Sequence, residues 1–272
     1  MAYLNFSNLI LFENNNYIII NKPSHIATLD DRGEGTNILL LAKGYCDEAQ
    51  VCHRLDKETS GALLIAKNAE AYRNAAMQFE AREVQKMYHA IVASPRKFDK
   101  LVVDLPIKQT STGTVKIDKQ DGKKALSVFT TLRLFKHYAL MQCEIYTGRM
   151  HQIRIHLASQ NASIAADITY KGKIPLLSEI KKKFKNSDEE ERPMIQRVAL
   201  HAFSLQFADL DGQIIFIEAP YPKDFEVFLK VLEKKYYFFR QYLLVKNIFF
   251  LNYIQKKWRK KIENKKTTAN KC

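Results

Sequence analysis

The segment Cys52-His53-Arg54-Leu55-Asp56-Lys57-Glu58-Thr59-Ser60-Gly61 runs directly into Ala62-Leu63-Leu64-Ile65-Ala66, and it restricts the fold more than any other stretch of the chain. A short apolar run bounded by Thr-Ser-Gly predicts a buried strand, and the polar residues before it predict a loop feeding that strand. Asp56 is thereby placed at the mouth of a core. An acid in that position can carry chemistry. It can also simply close a turn, with Thr59 and Ser60 satisfying backbone donors. Spacing alone leaves both readings open.

With 272 residues, 46% of them hydrophobic, the chain can bury a substantial core in one domain with a tail. Strands are predicted over Leu9–Glu13 and Tyr17–Asn21, joined as a hairpin by Asn14-Asn15-Asn16. Lys22-Pro23 ends the second, because proline has no backbone donor. Asp30 to Gly35 reads as a polar loop, and Asn37 as the cap of a short helix through Lys43. Asn68 to Arg82 reads as an amphipathic helix with Tyr72, Ala75, Ala76 and Phe79 toward the core. In the strand Lys86–Val92, alternation puts Tyr88, Ala90 and Val92 on one face. Residues 94–122 read as a connection with a short strand at Val115–Ile117 and a hairpin turn at Asp121-Gly122. Long strands over Lys123–Phe135 and Tyr138–Tyr146 complete a central antiparallel sheet.

A second informative stretch is Thr147-Gly148-Arg149-Met150-His151-Gln152-Ile153-Arg154-Ile155-His156-Leu157-Ala158. Thr147 and Gly148 can start a helix that turns Met150, Ile153 and Leu157 inward and leaves Arg154 beside that face. A half-buried Arg needs an acid partner. Further on, Arg197 to Ala202 opens a strand, residues 173–193 form a charged loop, and Lys223–Lys235 reads as a helix.

The first stretch resembles the His-Arg-Leu-Asp-x-x-Thr-Ser-Gly signature of the RluA-type pseudouridine synthases. The second resembles that family's Gly-Arg-x-His-Gln-Ile-Arg-x-His-Leu. Lys-x-Tyr-x-Ala at Tyr88, Asp-x-x-Tyr at Asp167–Tyr170 and Leu-His-Ala at Leu200 resemble further family segments. The likeness spans residues 9–222. It departs at His25, Gln160-Asn161 and Ala166, where the family usually has Gly; His, Asn or Ala can stand there if the backbone accepts positive φ at some cost.

The resemblance implies an α+β fold with a mixed, mainly antiparallel central sheet flanked by helices. It implies isomerisation of uridine in RNA to pseudouridine by Asp56, paired with Arg154, with Tyr88 stacking on the uracil and its hydroxyl a candidate for proton transfer. Arg54 is expected to fill the space left by a flipped base. His53, Arg149 and Leu200 are expected on the substrate side, and Asp167 and Tyr170 as structural. A carboxylate serves as nucleophile or base only while ionised, and an adjacent Arg cation favours that form. A non-catalytic RNA-binding module of the same fold would explain the charge but not the two motifs together.

The formal net charge of +14 suits a polyanionic partner, because surface Lys and Arg release counterions from phosphates. Residues 224–272 hold 13 Lys/Arg against 4 Asp/Glu and so carry +9 of that total. A catalytic domain over 1–238 and a basic, aromatic helical extension over 239–272 are expected. Tyr236 to Ile254 is apolar enough to suggest a membrane segment, but Arg240, Lys246, Asn247 and Asn252 interrupt it at high cost in lipid. Lys256 to Cys272 is expected to lack fixed structure. Cys46, Cys52, Cys143 and Cys272 are scattered, without metal spacing or a disulfide pattern. The expected setting is a cytoplasmic monomer acting on structured RNA, ribosomal or transfer, with no cofactor, no metal and no membrane partner.

Overall fold

The computed structural model describes residues 4–30, 35–180 and 191–234. The elements run β1 (Ile10–Glu13), β2 (Tyr17–Lys22), α1 (Ile38–Tyr45), β3 (Gln50–Val51), β4 (Ser60–Ala66), α2 (Ala69–Ala81) and β5 (Gln85–Val92). They continue as β6 (Leu101–Asp104), β7 (Ile107–Gln109), β8 (Val115–Ile117), β9 (Leu126–Leu134), β10 (Ala139–Ile145), α3 (Gln152–Ser159), β11 (Leu200–Ala208) and β12 (Ile214–Glu218). The main sheet has the order β1-β2-β4-β11-β5-β10-β9-β6, with β3 added to β4 and β12 to β11. Among the described strands, β4 and β11 pair in parallel, and every other pair is antiparallel. The mixed, mainly antiparallel sheet expected from the sequence is therefore present.

That parallel pair lies mid-sheet and depends on one glycine. Gly61 faces Ala202 across the pair with φ at +116°, and a Cβ there would lie 2.2 Å from the Ala202 carbonyl oxygen. Only a residue without a side chain lets the two backbones approach so closely. Ile18, Ile19, Ile20, Leu63, Leu64 and Ile65 of β2 and β4 are fully buried. Each such side chain removed from water stabilises the fold by about 1.5–3 kcal/mol, so the strand after Asp56 is anchored along its length.

The helix caps follow the sequence reading. Asn37 accepts from the Leu40 amide at 2.9 Å, and Asn68 from the Ala71 amide at 2.8 Å. The buried face of α2 differs from the expected Tyr72, Ala75, Ala76 and Phe79 stripe. Ala71, Ala75 and Gln78 are buried, whereas Tyr72 is 38% exposed. The Gln78 amide bonds both the N–H and the C=O of Ala208, at 2.8 and 2.7 Å, which makes burial of this polar side chain tolerable.

The connection over 94–122 contains two strands that were not expected, β6 and β7. Its hairpin is β7–β8, closed around Thr110–Thr114, rather than a turn at Asp121-Gly122; the Gly122 amide instead donates to Asp118. The helix expected to begin at Thr147-Gly148 begins at Gln152. His25, Asn161 and Ala166 all adopt positive φ, at 66°, 55° and 62°, so the three departures from glycine keep the left-handed backbone.

By its internal contacts the chain forms two units, Met1–Leu229 and Lys230–Cys272. All the named elements belong to the first, in which residues 223–229 are also helical. Of the second, residues 230–234 are described and helical. The acidic and basic runs of 181–190, part of the loop near Asp30, the domain boundary at 238 and the extension over 239–272 lie outside the described residues. Among the described residues no helix is long and apolar enough to cross a membrane.

Candidate active site

The loop before β4 is laced from both sides. Thr28 Oγ1 donates to the Leu55 carbonyl at 2.8 Å and accepts the Leu55 amide at 3.1 Å, and the Leu55 side chain is buried. The Asp56 carbonyl accepts the Thr59 amide at 3.0 Å, so the turn is closed by the backbone of Asp56 and not by its carboxylate. Ser60 Oγ bonds His201 Nδ1 at 2.9 Å. The capping reading of Asp56 therefore falls away, and its side chain, 25% exposed, faces a cleft.

Two buried cations hold this loop from beneath. Lys22 Nζ donates to the carbonyls of Pro23 and Ile26 at 2.9 and 2.8 Å, and to that of Lys57 at 3.4 Å. Burial lowers its pKa to about 7, against the upward pull of the Asp56 charge. Arg197 Nη1 donates to the carbonyls of Glu58 and Leu200, both at 3.2 Å, while its Nε and Nη2 grip Asp224 at 2.7 and 3.0 Å. The residue two positions after Asp56 is thus tied to the start of β11. The sequence marks Lys22 as the end of a strand and Arg197 as the start of one, but gives neither a role in holding the Asp56 loop.

The opposite wall is fixed by Gln152. Its amide oxygen accepts from Thr147 Oγ1 at 2.7 Å and from the Arg149 amide at 3.1 Å. Its amide nitrogen donates to the Leu126 carbonyl and to Ser127 Oγ, both at 2.9 Å. A buried Gln with both ends satisfied pins the 147–151 turn to β9. This turn, with His151 at φ +52°, delays the helix to Gln152 and brings Arg154 over Asp56.

Arg154 is 6% exposed and reaches two carboxylates. Its Nε and Nη2 each donate to Asp167 at 2.8 Å, as a bidentate pair. Its Nη1 is 3.9 Å from Asp56 Oδ2. The expected ion pair with Asp56 is present, at a distance beyond a hydrogen bond, and it is shared: Asp167, expected only as structural, takes the hydrogen-bonded fork. Burial alone would lower the pKa of Arg154, but the hydrogen bonds and charge of Asp167, with Asp56 behind them, raise it. His151 Nε2 lies 3.8 Å from the same Asp56 oxygen.

Tyr88 is buried at the cleft floor, and Leu200 is buried beside it in the lining. Burial first, and the Asp56 charge second, push the Tyr88 hydroxyl well above its ordinary range. Arg54 and Arg149 are exposed at the rim, with Arg149 Nε donating to the Lys124 carbonyl at 3.1 Å. His53 also lines the cleft, yet its Nε2 accepts the Leu64 amide at 3.1 Å and its ring lies against Phe79. Burial, helped by the Lys86 charge, takes its pKa down to about 3. The structure spends the His53 ring on holding β4. In all, the cleft of about 500 Å³ is lined by Arg54, Lys86, Arg149 and Arg154 against the single acid Asp56, counted among the described residues.

The sequence model of the RNA pseudouridylate synthase family matches residues 16–159, a span holding Asp56, Tyr88 and Arg154. The chain belongs to this family. Among the relatives of this synthase-family chain, the ribosomal large subunit pseudouridine synthase D of Blochmanniella floridana is 32% identical over 237 residues, covering 83% of this chain and 73% of that protein. The synthase D of Nitrosomonas europaea is 34% identical over 232 residues, covering 82% and 64%. The chain spans 60% of the length of a further synthase D from Neisseria meningitidis, to which it is 30% identical. Among solved structures, human RNA pseudouridylate synthase domain containing 4 superposes with a TM-score of 0.67 at 23% identity, covering 84% of this chain and 94% of that one. That likeness concerns the fold, and it agrees with the sheet described above.

Proposed function

We propose that this pseudouridylate synthase family member isomerises uridine in ribosomal RNA to pseudouridine, with Asp56 as the reacting carboxylate. The observation that carries the reading is the cleft itself. One carboxylate stands at the end of a rigidly held loop, and four Lys and Arg side chains surround it. Such a lining attracts a phosphate backbone while reserving the acid for chemistry. The relatives are named for the large ribosomal subunit. With bacterial ribosomal enzymes as relatives, the reading is of an enzyme acting in the cytoplasm.

The reaction breaks the bond between C1′ and N1, forms one between C1′ and C5, removes the C5 proton and leaves a proton on N1. It is an isomerisation, with no net oxidation. Asp56 acts either on C1′ as a nucleophile or on a ribose proton as a base, and both routes need the ionised carboxylate. Arg154, held by Asp167, keeps a cation 3.9 Å from it. The uridine must leave its stack, at a cost of a few kcal/mol, and in this reading Arg54, exposed at the rim, fills the gap.

Tyr88 follows from the same electrostatics. While Asp56 is a free anion, the Tyr88 hydroxyl stays protonated and its ring offers a stacking face. Once Asp56 is no longer a free anion, one of the two causes holding that proton disappears. Tyr88 can then take part in moving the C5 proton at the step that needs it.

Pseudouridine mapping in cellular RNA with and without this gene tests the proposal. The expected result is loss of modification at one or a few ribosomal uridines. An unchanged map would overturn it.

A further inference from the structure

His151 occupies a conformation that serves neither the helix nor the backbone around it. Its φ of +52° lies in the left-handed region, and it precedes α3 without its side chain capping any free helix amide. Gly would fit the backbone better there, and Ser, Asp or Asn would fit the cap better. The imidazole is directed elsewhere. Nδ1 lies 2.8 Å from the Tyr170 hydroxyl, and Nε2 lies 3.8 Å from Asp56 Oδ2.

The Tyr170 hydroxyl decides which nitrogen carries the proton. It already accepts the Val115 amide at 3.0 Å, and Tyr170 is buried, so its own proton must go to an acceptor. Nδ1 is in position to be that acceptor. A neutral imidazole that accepts at Nδ1 donates at Nε2. Burial, with Arg154 and Arg54 adding to it, disfavours the imidazolium, although Asp56 and Asp167 pull the other way.

Arg154 Nη1 and His151 Nε2 both approach Oδ2 of Asp56, at 3.9 and 3.8 Å. Each is roughly 1 Å beyond hydrogen-bonding distance. A rotation of the Asp56 carboxylate that brought Oδ2 onto these donors would leave Oδ1 for the ribose.

Resting on the reading of this chain as an RNA uridine isomerase, we propose that His151 is a positioning residue for Asp56. Its neutral ring, fixed by Tyr170 with the proton on Nε2, donates to Oδ2 and orients Oδ1 toward the substrate. Arg154 supplies charge, which has little directional preference. His151 supplies direction. The relay runs from the Val115 amide through Tyr170 to His151 and Asp56, so a β-hairpin remote from the reacting atoms sets the orientation of the carboxylate.

Two measurements on the full chain test this. With ¹⁵N-labelled histidine, and the His151 signals assigned from His151→Gln, the nitrogen spectrum near neutral pH is expected to show Nδ1 bare and Nε2 protonated, with the preference weakened in Tyr170→Phe. The opposite tautomer, or an imidazolium, would overturn the inference whether or not RNA turnover is found. An inactive wild-type protein would instead count against the functional reading. In turnover assays, His151→Ala is expected to lower kcat by about 10- to 100-fold, the range for losing a hydrogen bond to a charged group, with KM within about twofold. His151→Gln, whose amide can donate from a similar place, is expected to recover most of that loss. Equal losses in the two variants, or a loss confined to KM, would overturn it.

Discussion

Arg154 is committed to Asp167, not to Asp56: two bonds of 2.8 Å bind it to the former, while 3.9 Å separates it from the latter. Asp167 is fully buried, and the Arg154 side chain nearly so. The pair therefore works as a mount. A guanidinium gripped at Nε and Nη2 can point Nη1 in one direction only, and that direction is the Asp56 carboxylate.

Removing the mount should cost more stability than removing the carboxylate it serves. Asp167→Ala leaves a buried Arg without its partner, for which about 3–5 kcal/mol is the usual loss. Asp56→Asn should change the unfolding free energy by about 1 kcal/mol or less, because the Asp56 carboxylate is partly exposed, closes no turn and meets Arg154 only beyond hydrogen-bonding distance. Urea unfolding of the two variants checks the order. Equal stabilities would mean that Asp167 does not hold Arg154.

Gly61→Ala should be among the most damaging single-methyl additions. The new Cβ would meet the Ala202 backbone oxygen at 2.2 Å while φ stays at +116°. Overpacking and a left-handed side chain together predict a loss of about 2–5 kcal/mol. Gly35→Ala is the control, since at φ +67° its added Cβ has nothing among the described residues within 4 Å. That change should cost only about 1–2 kcal/mol. Thermal midpoints of the two variants separate close approach from backbone strain.

The residues that made the fold legible are those whose role is local. Asn37 and Asn68 cap helices because their side chains reach amides three residues on, and the apolar run after Gly61 can only be a buried strand. What escaped depends on distant partners. The face of α2 is turned by hydrogen bonds from Gln78 to Ala208, 130 residues away, so Tyr72 lies outside despite its helical spacing. The strand Leu101–Asp104 exists because Leu126–Phe129 lies beside it. The need of Arg154 for an acid was readable, but the choice between Asp56 and Asp167 was not, because both acids lie outside its helix. His151 was given no role within its own motif, since its left-handed backbone leaves no mark in a sequence that offers a helix start at Thr147-Gly148, three to four residues earlier.

Lys22 gives a pH signature. Its folded pKa of about 7 lies below its ordinary 10.5, chiefly through burial. Between those values the unfolded chain holds the extra proton, so folding stability should rise with pH across that window. The gain is complete above the unfolded pKa and is lost as pH falls toward the folded one. Urea unfolding at about pH 7.5 and about pH 9.5 should show a rise in the wild type that is smaller in Lys22→Met. Identical slopes would place the titration of Lys22 elsewhere.

If the Asp56 carboxylate performs the isomerisation, the purified Asp56→Asn variant must lose it. The change removes an ionisable oxygen at nearly constant volume and leaves the Thr59 turn, closed by the backbone carbonyl, in place. With ribosomal RNA as substrate, the wild type should form pseudouridine, and the variant should form none while keeping its thermal midpoint and its RNA affinity. Pseudouridine formed by the variant at an appreciable fraction of the wild-type rate would contradict the assignment.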